Sequence, residues 1–368
     1  MDTNMQNTPK ITKESKNKIR VEFERTPLKE RLKAKFLNLY FFQQIAWKIF
    51  RLILLVGISY IVLFPFISKI AGSFMSPEDF VDVTVRLIPK NFSLDIYKAV
   101  LDNKELGYWS AFLNTFIISL SGGLLQTFVC CLVGYGLAKF RFKGNTLVML
   151  LVVLTMIVPH GTLQLSMFMG FRYFDVLGIL SFLSGGASIG FMPESFNEML
   201  AGIQIINLPD HGLALTNTYW PLIILSVTGL AFKNGLYIFM LRQFFTGVPD
   251  ALEESAYIDG SGVFRTFFTI ILPLSVPMMV TVFLFAFCWQ WTDDFYTELF
   301  FTTSKITLMP DVVDIPNSLQ TDYAGQNMYY TAIRNTCGIC IIMPLVILYC
   351  FGQNFLVQGI ERSGLTAE

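Results

Sequence analysis

The sequence predicts an all-α polytopic membrane protein of six transmembrane helices, with a polar helical loop between spans four and five. Three observations predict it. The 368 residues are 53% apolar, include 36 Phe and are only 15% charged, against roughly 25% in soluble domains. Uncharged runs long enough to cross a bilayer recur along the chain, each spanning helix needing about 20 mostly apolar residues. The segments between those runs alternate in charge.

The runs lie between Arg51 and Lys69, Glu105 and Lys139, Lys143 and Arg172, Asp210 and Lys233, Arg265 and Asp293, and Arg334 and Glu361. They give spans near 46–70, 109–138, 145–171, 217–241, 267–292 and 335–358. Residues 1–51 hold 12 of the 27 Lys and Arg against five acids, and Lys139, Arg141 and Lys143 make the next short connection basic. The connections 72–108, 172–216 and 293–333 are acidic. By the positive-inside rule both termini and the 242–266 loop are cytoplasmic.

Residues 1–45 therefore read as a solvated basic tail that fixes orientation and is attracted to anionic lipid. No small-residue cleavage site follows the first apolar run, so the tail is not a secretory signal. Residues 46–360 form the transmembrane domain and 361–368 a second cytoplasmic tail.

Within the domain, Pro65 is tolerable near the end of the first span. The sequence Ile88-Pro89-Lys90-Asn91-Phe92 reads as a turn before a short helix at 94–102. The second span opens with Asn114-Thr115 and carries Gly122, Gly123, Gly134 and Gly136, small residues that let helices approach closely in lipid. Pro159-His160 in the third span reads as a kink. Val176 to Pro193 is uncharged but short and rich in Gly; counted as a span it would move 242–266 outside. The stretch 176–216 is therefore expected to be an extracytoplasmic insert.

The fourth span contains Lys233. A central Lys costs about +3 kcal/mol on the insertion scale, and each Leu, Ile, Phe or Val returns roughly 0.3–0.6. Eleven such residues between 217 and 241 outweigh it. All six cysteines fall inside spans, which argues against disulfides; the CxxC spacing of Cys337 and Cys340 reads as helix packing.

The loop is the most informative segment. Pro249 suits a first helical turn, where Asp250, Glu253 and Glu254 meet the positive end of the helix dipole. Gly260 suits the left-handed position that ends such a helix. A second helix from about 262 enters the membrane through Ile270-Ile271-Leu272-Pro273.

These spacings resemble the EAA loop of inner-membrane permeases of binding-protein-dependent ABC importers. The family pattern is Glu-Ala-Ala, three residues, Gly, nine residues, then Ile-x-Leu-Pro. This chain has Glu254-Ser255-Ala256, Gly260 and Ile270-Ile271-Leu272-Pro273, with Asp259 and Pro277 also in place and Ser255 for the first Ala. Phe239–Phe245, Cys288–Asp294 and Gln353–Gly359 are similar to the carbohydrate (maltose-type) branch, and the resemblance spans most of 46–360. Glu361-Arg-Ser-Gly-Leu replaces the usual C-terminal ending.

The resemblance implies a type I ABC importer permease in a bacterial cytoplasmic (inner) membrane, non-catalytic, carrying sugars or oligosaccharides. It implies a second permease subunit as heterodimer partner, two cytoplasmic ATPase subunits and an extracytoplasmic solute-binding protein, within the lipid bilayer and without nucleic acid. No cofactor is expected in this chain; ATP and Mg belong to the ATPase, and no GxxxxGK[ST] loop is present. ATPase coupling is expected at Leu252, Glu253, Glu254, Ser255, Ala256, Asp259, Gly260 and Pro273.

Polar groups inside a membrane are candidate functional groups by default. The substrate path is therefore expected to involve Asn114, Lys233, Gln290, Trp291, Asp293 and Asp294. The alternatives are a permease for a peptide, amino acid or ion, a secondary transporter, or an intramembrane enzyme. The last has little support, with two histidines and no HExxH.

Overall fold

The structure is a computed structural model that describes residues 12–14, 18–20, 39–175, 213–303, 306–316 and 326–362. Its contacts divide the chain into Met1–Ser68 and Lys69–Glu368. The 176–216 stretch lies outside the described residues up to 212, as do most of the two tails.

In the first unit, strands β1 (Thr12–Glu14) and β2 (Lys18–Arg20) pair antiparallel, Lys13 opposite Ile19. This departs from the all-α fold class and from the reading of residues 1–45 as a plain solvated tail. Lys18-Ile19-Arg20-Val21-Glu22-Phe23 alternates charged and apolar residues, a period of two that suits a strand. Helix α1 (Leu39–Gly72) then runs 34 residues with Pro65 inside it. Between Arg51 and Lys69 it carries no charge and is almost wholly apolar, the composition of a lipid-embedded helix. Arg51 lies over the Trp47 ring at 5.5 Å near its start.

The second unit is built around α3 (Tyr108–Lys139), preceded by the short α2 (Asp95–Leu101). Next come α4 (Asn145–Ile157), a 3-10 turn at His160–Leu163 and α5 (Gln164–Arg172). After the insert follow α6 (Trp220–Thr228), α7 (Asn234–Thr246), α8 (Ala251–Ile258), α9 (Val263–Thr266) and α10 (Leu272–Trp291). The last elements are α11 (Phe295–Phe300), a 3-10 turn at Met309–Val313 and α12 (Gln326–Arg362).

Among the described residues, four stretches are single helices long and apolar enough to cross a membrane: Phe42–Gly72, Tyr108–Lys139, Val263–Trp291 and Asn327–Gly359. The remaining two expected spans are not single rods. Segment 145–171 bends by 95° between Ile157 and His160. Pro159 lacks a backbone donor and disfavours helical geometry in the residue before it, and Val158 is accordingly extended at φ −68°, ψ 119°.

Segment 217–241 is broken outright. Helix α6 ends at Gly229 with φ +72°, and α7 starts after Lys233 with φ +67°. Lys233 thus sits at a junction between two helices rather than in mid-span. Hydropathy alone does not register such a break.

Helix α3 contacts α6, α7 and α10. One core joins its Cys130, Cys131 and Tyr135 to Tyr237, Leu241 and Phe245 of α7 and Met278 and Val282 of α10. A second joins Tyr108 and Ala111 to Trp291, Met309, Ile333 and Cys337. Gly134 permits the close α3–α7 approach: a Cβ there would stand 2.9 Å from Leu241 Cβ and 3.0 Å from the Arg242 backbone nitrogen. Gly136 faces open space. The polar loop hangs between α7 and α10.

Candidate functional site

The polar loop begins where α7 stops at Thr246. Asp250 precedes α8, whose Glu253 and Glu254 occupy its first turn. The far end closes in a Schellman arrangement: Ser261 N–H donates to the Ala256 carbonyl at 2.9 Å and Gly260 N–H to Tyr257 at 3.0 Å. That geometry needs a left-handed residue after the cap, and Gly260 has φ +80°. Thr266 and Ser261 hydroxyls meet at 3.1 Å, tying α9 to the elbow.

Past the elbow, Phe267–Ile271 forms a π-helical turn before α10. Pro273, in the first turn of α10, supplies no donor to the preceding turn, and a wider turn relieves its ring of the carbonyl behind it. Val263 to Trp291 nevertheless runs as one apolar span.

Within α8, Glu253 and Ala256 are buried against their own chain, whereas Leu252, Glu254, Ser255, Ile258 and Asp259 are exposed. Ile258 is 85% exposed and Phe264 of α9 80%. Sequence reasoning passed over both, although an apolar residue in a polar loop is a signal in itself. On the buried side, Tyr135 neighbours Glu253 and Tyr257. Neither its hydroxyl nor Glu253 Oε1 makes a hydrogen bond among the described residues.

The attachment comes from elsewhere. Lys139, the last residue of α3, donates from Nζ to the Val248 carbonyl at 2.6 Å and to Asp250 Oδ1 at 2.5 Å. Its side chain is 6% exposed against 74% for Asp250. The Lys139 hydrogen bond and charge hold the Asp250 carboxyl below the usual range, with Arg141 adding to the effect. Lys139 was read only as part of a basic connection; the acidic start of α8 opposite it was the available clue.

The expected substrate-path residues do not form one group. Asn114 is spent on structure: Nδ2 donates to the Thr307 carbonyl and Oδ1 accepts from the Tyr219 hydroxyl, both at 3.1 Å. Trp291 is fully buried, donates Nε1–H to the Ile341 carbonyl at 3.0 Å and stacks on Phe287. Two residues earlier and about 200° around the helix, Trp289 is 47% exposed.

Lys233 Nζ lies 4.6 Å from the Phe232 ring centre and 5.0 Å from that of Trp289. It borders a cavity of about 690 Å³ with Met156, His160, Leu163, Phe232 and Asn234. The His160 ring lies 4.7 Å from Phe232, so the kink histidine is part of this wall.

Gln290 and Asp293 line a small neighbouring recess with Trp289 and Tyr296. Asp293 Oδ2 accepts from the Tyr296 N–H at 3.1 Å. Burial pushes its carboxyl up to about 7, the Tyr296 N–H opposing and Asp294 reinforcing. Asp294 is exposed.

Residues 131–362 match the family described as "Binding-protein-dependent transport system inner membrane component". The chain belongs to this family. As an inner membrane component with several apolar spans, it is a multi-pass membrane protein and the permease of a binding-protein-dependent importer.

Among curated permeases, it is 27% identical over 307 residues to the Bacillus subtilis polygalacturonan/rhamnogalacturonan transport system permease YtcP, covering 81% of this chain and 91% of that one. It is 26% identical over 324 residues to the B. subtilis galactooligosaccharides permease GanQ, covering 86% and 94%. It is 23% identical over 310 residues to the B. subtilis arabinooligosaccharides permease AraQ, covering 84% and 92%. The fold matches a chain of a bacterial ABC transporter involved in the import of the acidic polysaccharide alginate, with TM-score 0.60 and 18% identity over 85% of this chain and 97% of that one.

Proposed function

We propose that this permease is one of two transmembrane subunits of an ABC importer for sugars or oligosaccharides, and that α8 couples it to a separate ATPase. The observation that carries the coupling reading is the exposed polar face of α8, held to the base of α3 by Lys139 and ended by Gly260. Leu252, Glu254, Ser255 and Asp259, with Ile258 beside them, would seat in a groove of the ATPase. Glu253 and Ala256 would instead transmit load into the chain itself.

Both termini and the loop would then lie in the cytoplasm, in agreement with the charge alternation. Two ATPase subunits would bind ATP and Mg, and this chain would hold no cofactor and catalyse no reaction. A second permease would complete the path, and an extracytoplasmic binding protein would deliver the solute. ATPase closure would rock the helices between inward- and outward-open states. The sugar reading is supported by the named substrates of the relatives and by the aromatic walls around Lys233, since sugar rings pack on aromatic faces beside hydrogen-bonding groups.

The test is uptake by the reconstituted importer with its binding protein. Glu254→Lys and Gly260→Pro should abolish both uptake and stimulation of ATP hydrolysis while leaving membrane insertion intact. Full transport by both variants overturns the coupling reading. Uptake of peptides or amino acids but of no saccharide overturns the sugar reading.

A further inference from the structure

The break between α6 and α7 collects positive charge around one cavity. Helix α7 is 13 residues long, and its first three residues, Asn234, Gly235 and Leu236, all border the 690 Å³ cavity that Lys233 lines. First-turn N–H groups have no partner inside their own helix. Those of Gly235 and Leu236 find no backbone acceptor among the described residues either. The aligned peptides put a partial positive charge at this end.

A second observation is independent of the helix terminus. Asn234 is 1% exposed, and neither its Oδ1 nor its Nδ2 has a partner among the described residues. A buried side-chain amide is ordinarily hydrogen-bonded, so this one keeps both a donor and an acceptor free to meet a bound polar group. Lys233 adds a full cation. It forms no ion pair with a carboxylate among the described residues.

The backbone points the same way. A left-handed conformation costs a residue with a Cβ roughly 1–2 kcal/mol, and Lys233 adopts φ +67°. Such strain concentrates where a side chain is held for use. Phe232 lines the cavity beside the ammonium, and Trp289, the ammonium's other neighbour, lines the adjoining recess. The volume falls within the roughly 300–1,000 Å³ of small-molecule sites.

We infer that the α6–α7 break is a subsite for the carboxylate of an acidic (uronate-type) sugar, bound by Lys233 and the first N–H groups of α7. Asn234 takes a ring hydroxyl, and Phe232 takes the apolar face of the ring. The inference rests on the importer reading above and narrows its substrate to anionic saccharides.

The experiment uses the full chain assembled with its partner permease and ATPase subunits in nanodiscs. The probes are trigalacturonate and its fully methyl-esterified form, matched in size and differing in charge, titrated calorimetrically without the binding protein. The acid is expected to bind at least tenfold more tightly than the ester. Lys233→Met should erase that preference, and Lys233→Arg should keep it. Lys233→Gly should erase it too while raising thermal stability, because Gly accepts φ +67° without strain.

Equal binding of acid and ester by the wild type, no binding of the acid, or a preference that survives Lys233→Met or Lys233→Gly overturns the subsite. If the importer still takes up neutral oligosaccharides, only the subsite falls. If it takes up no saccharide at all, the sugar reading falls with it.

Discussion

Lys139 Nζ stands 2.5 Å from Asp250 Oδ1 and 2.6 Å from the Val248 carbonyl, joining the end of α3 to the start of α8 across 111 positions of sequence. The cation is the buried partner and the carboxylate the exposed one. An exposed pair contributes little, but Lys139 also donates to the Val248 carbonyl, so its loss removes both attachments of the loop at once and leaves that carbonyl without its donor. Lys139→Met is therefore expected to loosen α8 more than Asp250→Glu, cutting transport roughly tenfold against a small loss. Hydrogen exchange of the 249–260 amides alongside uptake checks both halves.

The same pair sets a pH dependence. The Asp250 carboxyl is held below its ordinary value, so its contribution is fully present above an unfolded Asp pKa of about 3.9. It is lost only as pH falls through the lower folded value. Coupling efficiency, read as substrate moved per ATP, should not change through this pair between about pH 5 and 8. A loss in that window that disappears in Asp250→Asn contradicts the assignment.

At the elbow, a Cβ on Gly260 would meet nothing within 4 Å. Gly260→Ala should thus cost backbone strain alone, about 1–2 kcal/mol, and leave partial transport. Gly260→Pro also fixes φ near −65° and removes the N–H that bonds Tyr257, so transport should vanish. Equal activities of the two variants would count against the Schellman closure as the working element.

Gly134 and Gly136 make a matched pair one turn-half apart. Gly134→Ala forces a methyl against Leu241 and the Arg242 backbone and should destabilise the α3–α7 interface by about 1–3 kcal/mol. Gly136→Ala points into open space and should be near neutral. Thermal aggregation in detergent distinguishes them.

The two tryptophans of α10 should separate in the same way. Trp291→Phe leaves the buried Ile341 carbonyl without its donor, a cost of about 1–3 kcal/mol, and should show as lost stability. Trp289→Ala should fold normally and lower uptake.

The helical segments, the loop and its elbow were legible because each is local. Uncharged length, acidic first turn and a left-handed Gly can be read within a dozen residues. The breaks were only half legible. Pro159 announced its bend, but nothing in 217–241 outweighed its hydropathy, although Gly229 marked the stop of α6. Long-range partners were not legible at all. Asn114 and Trp291 looked like intramembrane polar groups awaiting a substrate, and their partners, Thr307, Tyr219 and Ile341, are distant in sequence. Lys139 was hidden for the same reason.

Helix α3 touches α6, α7 and α10, and its terminal ammonium holds the start of α8. If α8 couples to an ATPase, its displacement would not stay in the loop: it would arrive at the foot of a helix in contact with both halves of the broken segment. On that reading the Lys139 attachment would work as a crank pin, and the gap at Gly229–Lys233 is where its rotation would change the shape of the cavity without unwinding a turn.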